Sequence, residues 1–153
     1  MFSQTTEYAL RAMALLAYYP DQLVPTSMIA KETLVPPTYL AKVLQMLGNA
    51  DLISGRRGVG GGYKLARPAT DIRMIEVIDA VDPVRRITMC PLGLSDHGTS
   101  LCPLHRKMDM AAKAIIDLFD GVSLADLVNQ REGSKPLCDK EKAAKLTVSI
   151  GRG

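Results

Sequence analysis

The sequence predicts a mainly α-helical fold carrying one small β-hairpin and ending in a long helix. Three observations predict it. Apolar residues recur at helical spacing in separate stretches before residue 50, and a glycine-rich basic segment at 53–66 joins two short strand-like runs. A long amphipathic stretch then opens at Pro103. The chain has 153 residues, enough for one core and an appended element but too few for a large multidomain enzyme. With 47% hydrophobic and 23% charged residues, most of it folds.

Taken in order, the Ser/Thr-rich start at Ser3 suits a helix with Leu10, Met13, Ala14 and Ala17 on one face, stopping before Pro20. Thr26 and Ser27 offer an N-cap for a short helix, Met28 to Glu32, and the chain then turns at Thr33 and Leu34. After Pro36 and Pro37 the next helix places Leu40, Val43, Leu44 and Leu47 at i, i+3, i+4 and i+7 toward a core. Thr38, Tyr39, Lys42, Gln45 and Asn49 form its polar face. Short helix, tight turn and second helix with a polar outer face make a helix-turn-helix candidate.

The segment Ile53 to Ala66 reads as strand, glycine-rich tip and strand. Between Ile53 and Arg67 stand four basic residues (Arg56, Arg57, Lys64, Arg67) and no acid. A basic hairpin directly after a helix-turn-helix is a winged-helix arrangement, in which the second helix enters the major groove and the wing grips the backbone of double-stranded DNA. The candidate DNA-contacting residues are therefore Thr38, Tyr39, Lys42, Gln45, Arg56, Arg57, Tyr63 and Lys64. Because Arg56 and Arg57 are adjacent on a strand, they are expected on opposite faces, with only one entering a groove. A nucleotide-binding loop is excluded, since Tyr63 stands where either glycine motif needs another residue.

Thr70 can cap a helix carrying Ile72, Ile75, Val77, Ile78 and Val81, ending near Pro83. Ile87 to Cys102 lacks a period and reads as a loop, after which the helix from Pro103 carries Leu104, Met108, Ala111, Ala112, Ile115 and Phe119 as a stripe. A stripe without a neighbouring helix in the sequence predicts a homodimer. Ser123 caps a short helix, Leu124 to Val128, and the polar tail is expected to be mobile. The expected organisation is a winged helix-turn-helix at 1–86, a sensor loop at 87–102, dimerisation helices at 103–129 and the tail at 130–153.

The longest stretch free of Asp, Glu, Lys and Arg is nine residues, so no transmembrane helix is expected, and the first ten residues lack the basic start of a secretory signal. A cytoplasmic location follows as the expectation. Three cysteines make an odd number for a disulfide framework, which favours thiol or metal chemistry. Cys90, His97, Cys102 and His105 fall within 16 residues and include both histidines of the chain. Thiolate and imidazole together suit iron-sulfur or zinc ligation. The plainer alternative is a pair of buried cysteines beside a helix-capping histidine.

Several blocks resemble one bacterial family. Thr6 to Ala12 (TEYALRA), Tyr39-Leu40, Arg57 to Ala66 (RGVGGGYKLA) and Ile78 to Val81 (IDAV) are similar, in order, to the winged-helix family of the iron-sulfur cluster regulator IscR and the nitric-oxide sensor NsrR. The resemblance spans Met1 to Asn129 and implies a homodimeric transcriptional regulator, not an enzyme, swapped along its long helix and bound to palindromic promoter DNA. Cluster-binding members carry three cysteines with five residues in each gap. Here Cys90 and Cys102 keep the outer places and Asp96 stands in the middle one. His105 occupies the place of the iron-sulfur regulator's ligand histidine, and Glu7 that of a carboxylate supplied by the partner subunit in the nitric-oxide sensor. The resemblance thus implies a 2Fe-2S cluster on Cys90, Cys102, His105 and Glu7, with Asp96 or His97 as substitutes. Ala41 stands where cluster-sensing members have a glutamate. Two rival readings are a cluster-free regulator controlled by a partner protein or by thiol oxidation, and a small iron-sulfur redox carrier.

Overall fold

The computed structural model describes residues 2–93, 100–129 and 135–137. Helix α1 spans Gln4–Ala17, and the hydroxyl of Ser3 accepts from the Thr6 amide at 3.2 Å as its N-cap. Its inner residues Ala9, Ala12, Met13, Leu15 and Leu16 are completely buried. Two of these are alanines, which lets neighbouring elements come close, and α1 packs against four other helices and the wing.

Helix α2 runs Thr26–Thr33 and α3 runs Pro37–Asn49. Thr26 and Ser27 were expected to cap α2, but Pro25 holds the N-cap position in an extended conformation and both hydroxyl residues fall within the first turn. Leu34, at φ 55°, ends α2 in the left-handed region and makes the tight turn toward α3. In α3 the predicted stripe Leu40, Val43, Leu44 and Leu47 is buried.

Strands β1 (Ile53–Arg56) and β2 (Gly62–Leu65) pair antiparallel, Ile53 opposite Leu65 and Arg56 opposite Gly62. A third stretch joins them. Val24 and Tyr63 exchange backbone hydrogen bonds of 2.8 and 2.9 Å, so the wing is tied to the segment between α1 and α2. Gly62 makes this approach possible: its φ is +154°, and a Cβ there would lie 2.4 Å from the Val24 carbonyl oxygen.

Helix α4 spans Met74–Val81. Thr70, the expected cap, belongs instead to a 3-10 turn at Ala69–Asp71, where its hydroxyl meets the Asp71 carboxylate at 3.0 Å. The cap role passes to Arg73, whose amide donates to Glu76 at 2.8 Å. The reason is tertiary. Ile72 to Met74 is drawn into backbone pairing with Val122 to Leu124, through bonds of 2.9 and 2.8 Å.

Helix α5 covers Pro103–Asp120 and α6 covers Leu124–Val128, with Ser123 capping α6 as the sequence predicts. The two differ in surroundings. No residue of α5 is buried, whereas Leu124, Ala125 and Val128 of α6 are, and Leu124 and Val128 join the core built on α1. Part of the tail is held as well: Leu137 packs against the same core, and Tyr18 Oη donates to the Pro136 carbonyl at 2.9 Å. The chain thus adopts the expected class, mainly α with a two-stranded hairpin.

Gly62→Ala should separate the wing from Val24, through the steric clash and the unfavourable φ together. A loss of about 2 kcal/mol or more in unfolding free energy by urea titration is expected, in the range of substitutions that strain a special backbone position. A variant as stable as the parent would contradict this account of the wing.

Candidate functional site

The exposed face of α3 and the wing bound a cleft of about 670 Å³, lined among others by Thr26, Ser27, Gln45, Asn49, Arg56, Arg57 and Tyr63. Thr38, Tyr39 and Lys42 lie exposed toward the start of α3, where Pro37 sets the first turn. Tyr63 reaches the cleft because position 55 is glycine: a Cβ on Gly55 would sit 2.8 Å from the Tyr63 ring.

Two sequence expectations change here. Arg56 and Arg57 were expected on opposite faces, yet both line the cleft. β1 ends at Arg56, so strand alternation no longer governs Arg57, and Arg56 folds back to donate to the Gly60 carbonyl at 3.0 Å. Lys64 stands apart from the group. Next to Tyr63 on β2, it faces the other way, into a separate cleft of about 340 Å³ with Asp21 and Arg67.

Helix α1 connects to this surface through Arg11. Its guanidinium pairs with Glu7, donates to the Thr33 carbonyl at 3.2 Å and lies 5.8 Å from the centre of the Tyr8 ring. Tyr8 in turn meets Tyr39, at the start of α3, edge to face with 6.3 Å between ring centres. One side chain therefore touches Glu7 and the backbone at the end of α2 together. Sequence spacing made the Glu7–Arg11 pair foreseeable, but not the bond to Thr33, which lies 22 residues further on.

The sulfur and nitrogen donors are partly assembled. Cys102 Sγ lies 3.3 Å from His105 Nδ1 at the first turn of α5, both half-buried, while Cys90 is buried in the preceding loop. Asp96 and His97 lie outside the described residues. Glu7 is exposed and engaged with Arg11. Among the described residues of one chain, no three His, Cys, Asp or Glu side chains gather into a metal-holding group. The donor types fit a thiophilic metal or cluster, and Cys102 with His105 is the pair that the structure brings into contact.

The base of the cysteine loop is fastened to α5. Arg86 Nε and Nη2 donate to the two Asp109 carboxylate oxygens at 2.6 and 2.7 Å, and the Ile87 amide adds a bond of 2.9 Å. The guanidinium fork, and after it the Ile87 amide, hold the Asp109 carboxyl down at about 2. A depressed carboxylate stabilises the fold above its ordinary range and loses that contribution as pH falls toward the folded value. Parent protein should therefore release this fastening between about pH 4 and 2. Asp109→Asn should remove that portion of the acid transition followed by circular dichroism, and an unchanged acid profile would refute the role given to the pair.

No helix among the described residues is long and apolar enough to cross a membrane. Residues 2–130 match the family model Rrf2, described as an iron-dependent transcriptional regulator. A chain of Aquifex aeolicus described as an HTH-type transcriptional regulator is 33% identical over 135 residues, covering 86% of this chain and 94% of that one. Among solved structures, CymR, the global cysteine regulator of B. subtilis, is 25% identical with a TM-score of 0.68, over 83% of this chain and 95% of that one. T. potens IscR shares the fold at a TM-score of 0.69 and 23% identity, over 87% and 93% of the two chains. With a helix-turn-helix, a basic wing and a family match over nearly the whole described length, the chain belongs to the Rrf2 family of winged-helix, DNA-binding transcriptional regulators and is not an enzyme.

Proposed function

We propose that the chain acts as a homodimeric regulator of promoter DNA whose affinity responds to redox or iron-sulfur status at a site between the wing domain and α5. The observation that carries the sensor reading is the Cys102–His105 contact at the start of a helix with no buried residue of its own. Leu104, Met108, Met110 and Leu118 of α5 are all more than half exposed. Covering them in a second copy would bury this apolar surface and present two recognition helices to a palindrome.

In this reading Cys90, Cys102 and His105 of one subunit, with Glu7 of the other, would hold a two-iron cluster, and Asp96 or His97 can stand in for a ligand. A bound cluster supplies a reversible electron acceptor that oxidants and nitric oxide dismantle. The chain's own residues supply the transmission. When Glu7 is drawn away from Arg11, the guanidinium loses its anion and changes its hold on the Thr33 carbonyl. The turn at Leu34 and the start of α3 then shift with it.

For DNA contact, Thr38, Tyr39, Lys42 and Gln45 face the major groove, while Arg56, Arg57 and Tyr63 meet flanking backbone; Lys64 contributes less, from the wing's other side. Arg57→Ala is expected to weaken operator binding and to flatten the dependence of log K on log salt by about one unit per lost phosphate contact. Lys64→Ala should change both less. Equal behaviour of the Arg57 variant and the parent in a salt-titrated shift assay would overturn the wing assignment.

A cluster-free regulator controlled by thiol oxidation is the second reading, favoured by the absence of a three-donor group among the described residues of one chain. Anaerobic reconstitution separates the two. The cluster reading expects iron, sulfide and visible absorption bands that Cys90→Ala and Cys102→Ala abolish, with His105→Ala or Glu7→Ala leaving a more labile chromophore. Colourless parent protein without iron would leave the thiol reading in its place.

A further inference from the structure

A groove of about 340 Å³ opens between α1, α4 and α6. Leu10 and Ala14 of α1, Met74 of α4 and Leu127 of α6 form its apolar lining, with Glu7 and Arg11 at the rim. Its remaining wall is the chain's own Pro136 and Leu137. Two further features hold that segment in place. Tyr18, only 2% exposed, donates from its hydroxyl to the Pro136 carbonyl at 2.9 Å, across 118 residues of sequence. Leu137 packs against the core with its backbone at φ 61°, a conformation that a branched residue keeps only where its surroundings impose it.

We propose that the apolar face of α1, α4 and α6 beside this groove is a docking surface for the chain's own Lys135–Leu137 segment, and that docking there, by walling the groove in which Arg11 stands, raises DNA affinity. Arg11 belongs to two places. It lines the groove of which Leu137 is one wall, and it donates to the Thr33 carbonyl that ends α2. A seated tail walls one side of the groove and limits the water that reaches the guanidinium, which favours its bonds to Glu7 and to Thr33. With the tail undocked that side stands open, and more water competes for the same donors, loosening the turn that orients α3. The occupant is a proline-leucine segment and its seat is apolar, with the mutually paired Glu7 and Arg11 at the rim, so apolar surface meets apolar surface.

This inference rests on the family's DNA binding and is tested on cluster-free protein, in which Glu7 stays paired with Arg11. Its test uses the full chain and a duplex selected by the parent protein from a random library. Leu137→Asp should expose the methyl groups of Leu10, Met74 and Leu127 to a soluble paramagnetic probe in NMR spectra and weaken duplex binding at least threefold. Tyr18→Phe, which keeps the ring and removes the hydroxyl's bond to Pro136, should weaken it less. A synthetic peptide of residues 131–141, added to the Leu137 variant, should restore both methyl protection and affinity. Exposed methyls with unchanged or tighter DNA binding would overturn the proposal. So would methyls equally exposed in the parent, or a peptide that restores neither property. A parent protein that selects no duplex at all would instead contradict the DNA-binding reading.

Discussion

Two backbone hydrogen bonds between Val24 and Tyr63 fix the wing against the helices, and the geometry of the cleft between α3 and the wing depends on them. A free hairpin of two four-residue strands would be marginal in water. Pairing with Val24 adds a third stretch and brings the wing beside Thr26 and Ser27 at the start of α2. The side chain of Tyr63 then falls across Gly55 into the cleft, and the arginines follow from the place where β1 stops. Glycine at 62 is a positional requirement, since any Cβ would enter the Val24 carbonyl.

What was legible in the sequence is what repeats within a few residues. The stripe of α3, the Ser123 cap and the start of α5 at Pro103 all rest on local spacing or local hydrogen bonding, and each stands in the structure. The basic hairpin was legible for the same reason. What escaped depends on residues distant in the chain. Thr70 looked like a cap because nothing local announces that Ile72 is committed to Leu124. Arg57 escaped the alternation rule because the strand ends one residue earlier. The tail looked uniformly polar, yet Leu137 found a seat prepared by Leu10, Met74 and Leu127. For the proposed sensor, donor types could be read from composition and spacing, whereas the assembly proposed for them depends on loop geometry and on a second subunit.

Two fastenings define how α5 joins the rest. At its beginning, Arg86 and Ile87 hold Asp109, two turns into the helix, so the cysteine loop leaves and returns over a short base. Beyond its end, Met74 and Leu124 pair with the backbone of the facing strand-like segments and return the chain to the core at α6. The helix is thus carried at both ends by the winged-helix body, with Phe119 half-buried against the core and most of its length exposed. A shift in the body therefore reaches α5 as a movement of its ends. A change at Cys102 or His105 likewise reaches the body through Asp109 and Arg86, which is a short mechanical path.

The emptiness of α5's own neighbourhood also has an evolutionary reading. In α1 almost every inward position is filled by the core, so a substitution there is judged first by whether the chain still folds. In α5 no residue is buried within its chain, so away from Asp109 and Phe119 a substitution there disturbs the winged-helix body little. Sequence drift over most of this helix is then screened chiefly by what it meets outside its own chain. Under the pairing proposed above, preference for a partner can diverge between duplicated copies of the gene while the winged-helix body stays intact, a separation that lets related regulators stop mixing with one another before their DNA targets change.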